Sequence, residues 1–161
     1  MPMRIGTPMP SLEGATDWLH GSAAKVSQDT EGHPLLIHFW SLSCGMCKDN
    51  LPRVAEWREK YRDAGLRVIA IHMPRYPEDT NVEAVRETAD SYGITEPRAV
   101  DNHHKLRDAF QNEHGYVPAY YLFDELHKLK SFAAGEYGTT VMEPALERML
   151  GVTKAAHGAA T

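Results

Sequence analysis

The feature of this chain with the clearest chemical meaning is a pair of cysteines, Cys44 and Cys47, the only two it contains. Two thiols at this spacing can close a small disulfide and reopen it by exchange with another thiol. The apolar run Leu35–Trp40 precedes the pair and a helix-like segment follows it, which predicts a strand-to-helix junction. That placement indicates a redox-active disulfide centre rather than a structural disulfide.

The two cysteines are predicted to have different roles. The free amide groups and the dipole at a helix N-terminus favour a thiolate, and Cys44 would lie there, exposed to solvent. Cys47 would lie one turn inside the helix, facing the core. We therefore expect Cys44 to attack a disulfide and Cys47 to resolve the mixed disulfide, while Gly45 and Met46 shape the turn and modulate the redox potential.

Two other interpretations of the cysteine pair stay open from the residues alone: half of a zinc site, or two inert buried thiols. A structural zinc site needs four ligands, typically from a second Cys or His pair, and the chain has no second CxxC motif. His103, His104 and His114 have no cysteine or acidic residue spaced to complete a site with them. We interpret these histidines as a solvated helix start, and we predict neither a metal nor an organic cofactor.

The composition is that of an ordinary globular chain. It has 161 residues, 42% of them hydrophobic and 24% charged, with a formal net charge of -5. These values predict one domain over residues 1–152 and a disordered tail over 153–161. Without a basic stripe or a long apolar run, neither nucleic acid nor a membrane is an expected partner. The N-terminus shows no secretory signal, so a cytoplasmic monomer is expected.

Apolar periodicity predicts the elements that position the cysteines. Strands over 35–41 and 66–73 flank a helix that begins near Cys44 and ends at 64–65, which forms a right-handed βαβ unit with parallel strands. Pro52 falls inside this helix and should kink it. The other expected elements are a short strand and turn within 14–27, a helix over 82–92, a strand at 98–101, a helix capped by residue 101 or 102 and ending near 111, strands over 119–124 and 128–133, and a helix over 141–150.

The segment Phe39–Lys48, which reads Phe-Trp-Ser-Leu-Ser-Cys-Gly-Met-Cys-Lys, resembles the active-site segment of thioredoxin-like proteins. Pro52 matches the kink proline of that family's helix, and Val117-Pro118 matches the segment whose cis-proline lies beside the disulfide. Within the family, the chain is most similar to the TlpA/ResA-like thiol–disulfide oxidoreductases. The resemblance implies an α/β thioredoxin-like fold, with a mixed central sheet flanked by helices, an N-terminal extension and an inserted αβ segment at about residues 76–112.

The same resemblance implies thiol–disulfide exchange with disulfide-containing protein clients, with electrons from an unidentified donor. A cis bond before Pro118 would leave the Val117 backbone free to pair with the extended chain of a client. Trp40 would pack under the active-site loop. In a reducing cytoplasm the net direction would be reduction of the client.

Three residues depart from the family pattern. His38 stands where thioredoxins usually have a buried Asp, and it is either a core histidine bonded to a backbone carbonyl, which we prefer, or a proton relay for Cys47. Ser43 replaces the Trp that commonly precedes the first cysteine. Arg75 lies near the position where some relatives have an acidic residue, and an Arg there would favour the thiolate instead of proton transfer.

Two alternative functions stay open. The first is a thiol peroxidase of the wider redoxin group, although such enzymes usually place a Thr three residues before the attacking cysteine, where this chain has Ser41. The second is a non-enzymatic thioredoxin-fold binding module with a vestigial disulfide. The intact Cys44 and Cys47 argue against the binding module.

Overall fold

The computed structural model describes residues 3–151. Its helices and strands are β1 (Asp17–His20), α1 (Ala23–Thr30), β2 (Leu35–Trp40), α2 (Gly45–Lys60), β3 (Arg67–His72), α3 (Val82–Ser91), β4 (Arg98–Val100), α4 (Lys105–Ala109), β5 (Ala119–Phe123), β6 (Leu129–Ala134) and α5 (Gly138–Leu146). Short 3₁₀ segments at Pro77–Thr80 and Gly135–Tyr137 precede α3 and α5, and a π-helical turn at Glu147–Gly151 follows α5. The tail predicted to be disordered, over 153–161, lies outside the described residues.

The six strands form one mixed sheet in the order β1-β4-β3-β2-β5-β6. β2 pairs in parallel with β3 and antiparallel with β5, and β3 pairs in parallel with β4. β1 and β6 complete the two edges as antiparallel strands. The predicted parallel βαβ unit and the antiparallel strand pair near the C-terminus are thus confirmed.

Strand β2 is buried on both sides because helices cover both faces of the sheet. All six residues of β2 are buried, as its nearly continuous apolar run predicts. Leu35, Ile37 and Phe39 pack with Val26 of α1 and Leu106 of α4. The alternate residues of β2 face the other way, where α2, α3 and α5 complete the core. This two-sided arrangement is the α/β fold that the resemblance implies.

Two local predictions were wrong. The segment 14–27 contains β1 but also the start of α1, and Val26 belongs to this helix; Ser22 caps the helix by accepting the Lys25 N–H at 3.1 Å. Helix α2 ends at Lys60, several residues before the predicted end, and the chain then passes through turns to Gly65. Tyr61, which follows the helix, is nevertheless buried in the same cluster as Val54.

The N-terminal extension lies against the β6 edge of the molecule. Gly6 N–H donates to the Leu129 carbonyl at 2.8 Å, and Met9 N–H donates to the His127 carbonyl at 2.9 Å. Met3 is buried in the cluster that also contains Leu129. The predicted extended lead-in therefore has backbone partners of its own.

The inserted segment between β3 and β5 contains α3, β4 and α4. It extends the sheet by β4, on which β1 then pairs. Asp101, one of the two residues predicted to cap α4, accepts the backbone N–H groups of Leu106 and Arg107 at 2.9 and 2.8 Å, although the residue at the N-cap itself is His104. The same insertion places the Pro77–Thr80 turn beside the loop that follows β2.

Candidate active site

Cys44 and Cys47 form a disulfide at the N-terminus of α2. Cys44 is the N-cap residue of this helix, and its Sγ accepts a hydrogen bond from the Cys47 backbone N–H at 3.0 Å. The sulfur thus occupies the place that a serine or aspartate oxygen takes in a common N-cap. The unpaired amides and the positive end of the helix dipole favour negative charge on this sulfur once the disulfide is reduced.

The prediction that Cys44 is exposed was wrong for this oxidised form. Cys44 keeps only 4% of its accessible surface and Cys47 only 2%. The Cys44 Sγ is covered because it turns onto the first turn of α2 and lies 3.7 Å from the Val117 carbonyl oxygen. Met46 is 41% exposed, and a Cβ placed on Gly45 would meet no atom within 4 Å. The two residues between the cysteines therefore face solvent, while both cysteines are covered in the oxidised form.

The Val117–Pro118 segment lies beside the Cys44 sulfur, and its peptide bond is cis, as the resemblance implies. Strand β5 begins only at Ala119, and within residues 3–151 the Val117 N–H and C=O make no backbone hydrogen bond. The preceding Tyr116 is exposed. An extended chain could thus pair with the Val117 backbone next to the disulfide.

Trp40 is buried under the active-site loop, as predicted, in a cluster with Cys44 and Cys47. Its ring meets the His72 ring edge-on, with 4.9 Å between centroids. His72, which the sequence analysis did not single out, accepts the Leu42 backbone N–H on Nε2 at 3.0 Å. Burial lowers the pKa of His72 to about 4, with the Asp79 charge and a backbone hydrogen bond opposing the shift. A neutral His72 therefore holds the loop that leads to Cys44.

His38 is bonded to a carboxylate, so the preferred prediction of a backbone carbonyl partner was wrong. Its Nε2 lies 2.7 Å from Glu96 Oε2, and both side chains are buried. Arg58 Nη1 donates to the other oxygen, Glu96 Oε1, at 2.6 Å. The alternation of β2 places His38 on the same face of the sheet as Trp40, beneath α2.

Glu96 connects His38 with Arg58. Burial by itself raises the pKa of the Glu96 carboxyl, but the hydrogen bond and charge of His38, with Arg58 adding to them, hold it below its ordinary value. The ionised carboxylate can only accept, so His38 Nε2 carries a hydrogen and donates it. The sequence gives no signal for Glu96, because an acidic residue in a polar loop is ordinarily solvated.

A second buried acid, Asp79, holds the loop before Cys44 in place. One of its oxygens, Oδ2, accepts the hydroxyls of Ser43 and Ser41 at 2.7 and 2.9 Å. The same oxygen accepts the backbone N–H groups of Arg75 and Tyr76 at 2.9 and 3.2 Å. Burial alone raises the pKa of Asp79, but these four hydrogen bonds lower the pKa by more, so it lies below its ordinary value. Asp79 thus joins the active-site loop to the loop after β3.

Arg75 lies directly against the residue that precedes the first cysteine. Its Nη2 donates to the Ser43 carbonyl at 2.6 Å and its Nε donates to the Ser43 hydroxyl at 3.1 Å. The position near which some relatives have an acidic residue therefore carries a cation here. Ser43, in the place of the family's Trp, supplies the polar atoms that hold this cation.

The described histidines outside this site are not gathered into a metal site. Among residues 3–151, no group of three or more His, Cys, Asp or Glu side chains is arranged to hold a metal ion. His104 Nε2 lies 2.8 Å from the Pro74 carbonyl, and the His114 ring lies beside Tyr116. In the same part of the chain, no helix is both long enough and apolar enough to cross a bilayer.

A redox pair at the N-terminus of a helix, with a cis-proline segment beside it on a mixed sheet, defines the thioredoxin-like class of redox proteins. The chain belongs to the AhpC/TSA family, which it matches over residues 5–132.

Three known proteins are informative for comparison. The chain is 45% identical over 152 residues to the thiol-disulfide oxidoreductase YkuV of Bacillus subtilis, with 94% of this chain and 100% of that protein covered. It is 26% identical over 147 residues to the thiol-disulfide oxidoreductase ResA of Bacillus thuringiensis, with 91% and 79% covered. A solved thioredoxin-like protein in the oxidized form is 43% identical and superposes with a TM-score of 0.80, covering 92% of this chain and 98% of that one. The chain is a thiol–disulfide oxidoreductase with a thioredoxin-like fold, similar to the ResA-like branch.

Proposed function

We propose that this oxidoreductase reduces disulfides of protein clients through Cys44 and Cys47. The Cys44 thiolate attacks one sulfur of the client disulfide, and the other client sulfur leaves as a thiolate. The Cys47 thiolate then attacks the Cys44 sulfur, which releases the second client thiolate and closes the Cys44–Cys47 disulfide. Two electrons pass to the client, and a dithiol or an enzymatic reductant must return two electrons to the chain. No resident cofactor enters this scheme.

The observation that carries the proposal is the position of the Cys44 sulfur. It accepts the Cys47 N–H at the start of α2 and lies beside the unpaired Val117 backbone. A client held in extended form against Val117 would bring its own sulfur next to Cys44. Cys47 lies one turn further along the helix and is also covered, and it attacks in this proposal after the mixed disulfide has formed.

The residue that precedes Cys44 by three favours disulfide exchange over peroxide reduction. Ser41 is fully buried, and its hydroxyl donates to Asp79 Oδ2 at 2.9 Å. A hydroxyl held in this way is unsuited to assist a peroxide at the Cys44 sulfur.

We further propose a cytoplasmic monomer that works in the direction of client reduction. The support is compositional, since the redox pair accounts for both cysteines of the chain and leaves none for structural disulfides. The standard reduction potential of the pair, measured against glutathione, tests the direction. A potential well above that of the glutathione pool would make the chain an oxidant and contradict this part of the proposal.

The assay that tests the function compares two substrates. The fully reduced chain is mixed with insulin in the presence of a dithiol donor, and separately with hydrogen peroxide. We expect insulin reduction that is lost in Cys44→Ser, with slow consumption of peroxide. Fast turnover of peroxide with negligible insulin reduction would favour the peroxidase. Neither insulin reduction above the dithiol background nor peroxide consumption in the unmodified chain would favour a binding module.

His38 and Glu96 are proposed to accept the proton that Cys47 must lose before it attacks. The pair lies beneath α2, and Glu96 and Arg58 also line an open surface cleft of about 570 Å³. Glu96 and Arg58 thus connect the His38 ring, on the face of the sheet under the redox helix, with this cleft, and a proton leaving a covered thiol needs such a route to solvent.

The test is the pH dependence of the exchange rate in His38→Ala, with His38→Gln as the variant that keeps a polar side chain. We expect His38→Ala to slow exchange and to change the dependence of its rate on pH, because the ring that would take up the Cys47 proton is gone. A rate profile parallel to that of the unmodified chain would show that His38 is structural.

A further inference from the structure

Arg75 is a fixed cation at the rim of the disulfide. Two of its guanidinium nitrogens donate to Ser43, which directly precedes Cys44. Its guanidinium carbon lies 5.6 Å from the centroid of the Tyr76 ring. Its backbone N–H donates to Asp79 Oδ2, the oxygen that also receives the Ser43 hydroxyl. The backbone and the guanidinium of Arg75 are thus both held, so the charge stays next to the residue that precedes Cys44.

The charge of Arg75 has no partner of opposite sign in the described part of the chain. Six other arginines form an ion pair with a carboxylate there, namely Arg53, Arg58, Arg62, Arg86, Arg98 and Arg107. Arg75 is exposed and forms none, because Asp79 meets only its backbone N–H. A guanidinium has five N–H donors, so donors remain after the two bonds to Ser43. These donors are available to a carboxylate from outside.

The surroundings of Arg75 leave room for a side chain. Arg75, Tyr76, Asn102 and His104 line a shallow cleft of about 240 Å³ that opens to solvent. Arg75 is bonded to the residue before Cys44, so this cleft adjoins the active-site loop. A negatively charged side chain near the client cysteine can therefore meet the guanidinium.

We infer that Arg75 recognises an acidic side chain near the reactive cysteine of the client, and so selects acidic disulfide segments as substrates. This inference rests on the proposed function. Arg75 is a specificity residue in this view. Its contribution appears as a faster rate on the acidic member of a pair of substrates than on the neutral member. Screening by salt should weaken the selection, because the pair is exposed.

The experiment uses peptides with one disulfide that differ only in a Glu or a Gln placed in turn at each position flanking the reactive cysteine. The reduced chain is assayed for kcat/KM on each pair, along with Arg75→Gln and the control Arg86→Gln. Arg86 is matched in charge change, but it is paired with Glu83 of its own helix. We expect the unmodified chain and the control to prefer Glu at one or more positions by up to about fivefold at low salt, as one exposed ion pair allows. Arg75→Gln should reduce the two members of each pair at equal rates.

The possible results distinguish a failure of this inference from a failure of the proposed function. Equal rates for Glu and Gln peptides in the unmodified chain, or a preference for Glu that survives in Arg75→Gln, would overturn the inference alone. A fall in rate in Arg75→Gln that is the same for every peptide would also overturn it, since Arg75 would then act on the Cys44 thiolate. Reduction of none of the peptides would overturn the proposed function, and the inference with it.

Discussion

Removal of the titratable ring of His72 should change how the stability of this protein depends on pH. The ring is buried against Trp40, and its Nε2 accepts the Leu42 N–H, which requires that this nitrogen carry no proton. A second proton would place a hydrogen between Nε2 and the Leu42 N–H and a charge in the interior. Below the ordinary pKa of histidine, the unfolded chain takes up this proton and the folded chain does not.

The magnitude follows from the displacement of the pKa. Burial moves the pKa of His72 from 6.5 to about 4, and one pKa unit is about 1.4 kcal/mol, so the displacement corresponds to about 3 kcal/mol of unfolding free energy. Because the unfolded state binds more protons between these two values, stability falls as the pH is lowered from about 6.5 to about 4. Below about pH 4 both states bind the proton, and His72 causes no further loss.

The assay is urea unfolding followed by circular dichroism at several pH values from 7 to 4. His72→Gln is the variant, since an amide oxygen can still accept the Leu42 N–H. In the difference in unfolding free energy between the unmodified chain and the variant, the pH-dependent contribution of the carboxylates that both share cancels. This difference should change by about 3 kcal/mol between pH 7 and pH 4, because the unmodified chain loses stability at the acid end and the variant does not. The exposed His103 supplies the control His103→Gln, and a difference for His72→Gln as flat as this control would refute the reasoning.

Four other predictions concern single substitutions. Asp79→Asn should lower the unfolding free energy by about 2 kcal/mol, because an amide cannot match a carboxylate that holds four donors on one oxygen; the exposed Glu78→Gln is its control, and equal stabilities would contradict the prediction. Glu96→Gln should cost about 3 kcal/mol in the same urea assay, since it removes the buried charge that both the His38 ring and the Arg58 guanidinium contact, and a neutral result would mean that these contacts contribute nothing net. Gly138→Ala should destabilise the protein by about 1–3 kcal/mol, because its Cβ would lie 2.8 Å from the Tyr120 ring. Gly45→Ala, in open space within α2, should raise the melting temperature slightly, and a reversed order of the two glycine variants would contradict both statements.

The parts of the fold that the sequence predicts well are those with strong local patterns. The apolar run of β2, the spacing of buried residues along α2 and the glycine after α3 each specify their element from a few adjacent residues. Helix α1 was missed because only Val26 and Thr30 of its eight residues are buried, so it has little apolar periodicity. Its N-cap Ser22 was the available signal.

The redox pair was predicted from two residues, but the groups that support it were not. Asp79, Glu96 and His72 lie 35, 52 and 28 positions from Cys44 in the sequence, and each acts through contacts that form only when the sheet and the insertion are assembled. A single acidic residue that becomes buried produces no periodic pattern in the sequence. The exposure of Cys44 was misjudged for a related reason, since the Val117 carbonyl that covers its sulfur comes from a distant segment.

The most direct test of the account is to trap the exchange intermediate. Cys44→Ser and Cys47→Ser are each reduced, mixed with oxidised insulin and examined by mass spectrometry for a covalent adduct. The account predicts an adduct through Cys44 in Cys47→Ser and little or none through Cys47 in Cys44→Ser, because only the first sulfur lies at the helix N-terminus beside the Val117 backbone. Equal adducts in the two variants, or adducts in neither, would contradict it.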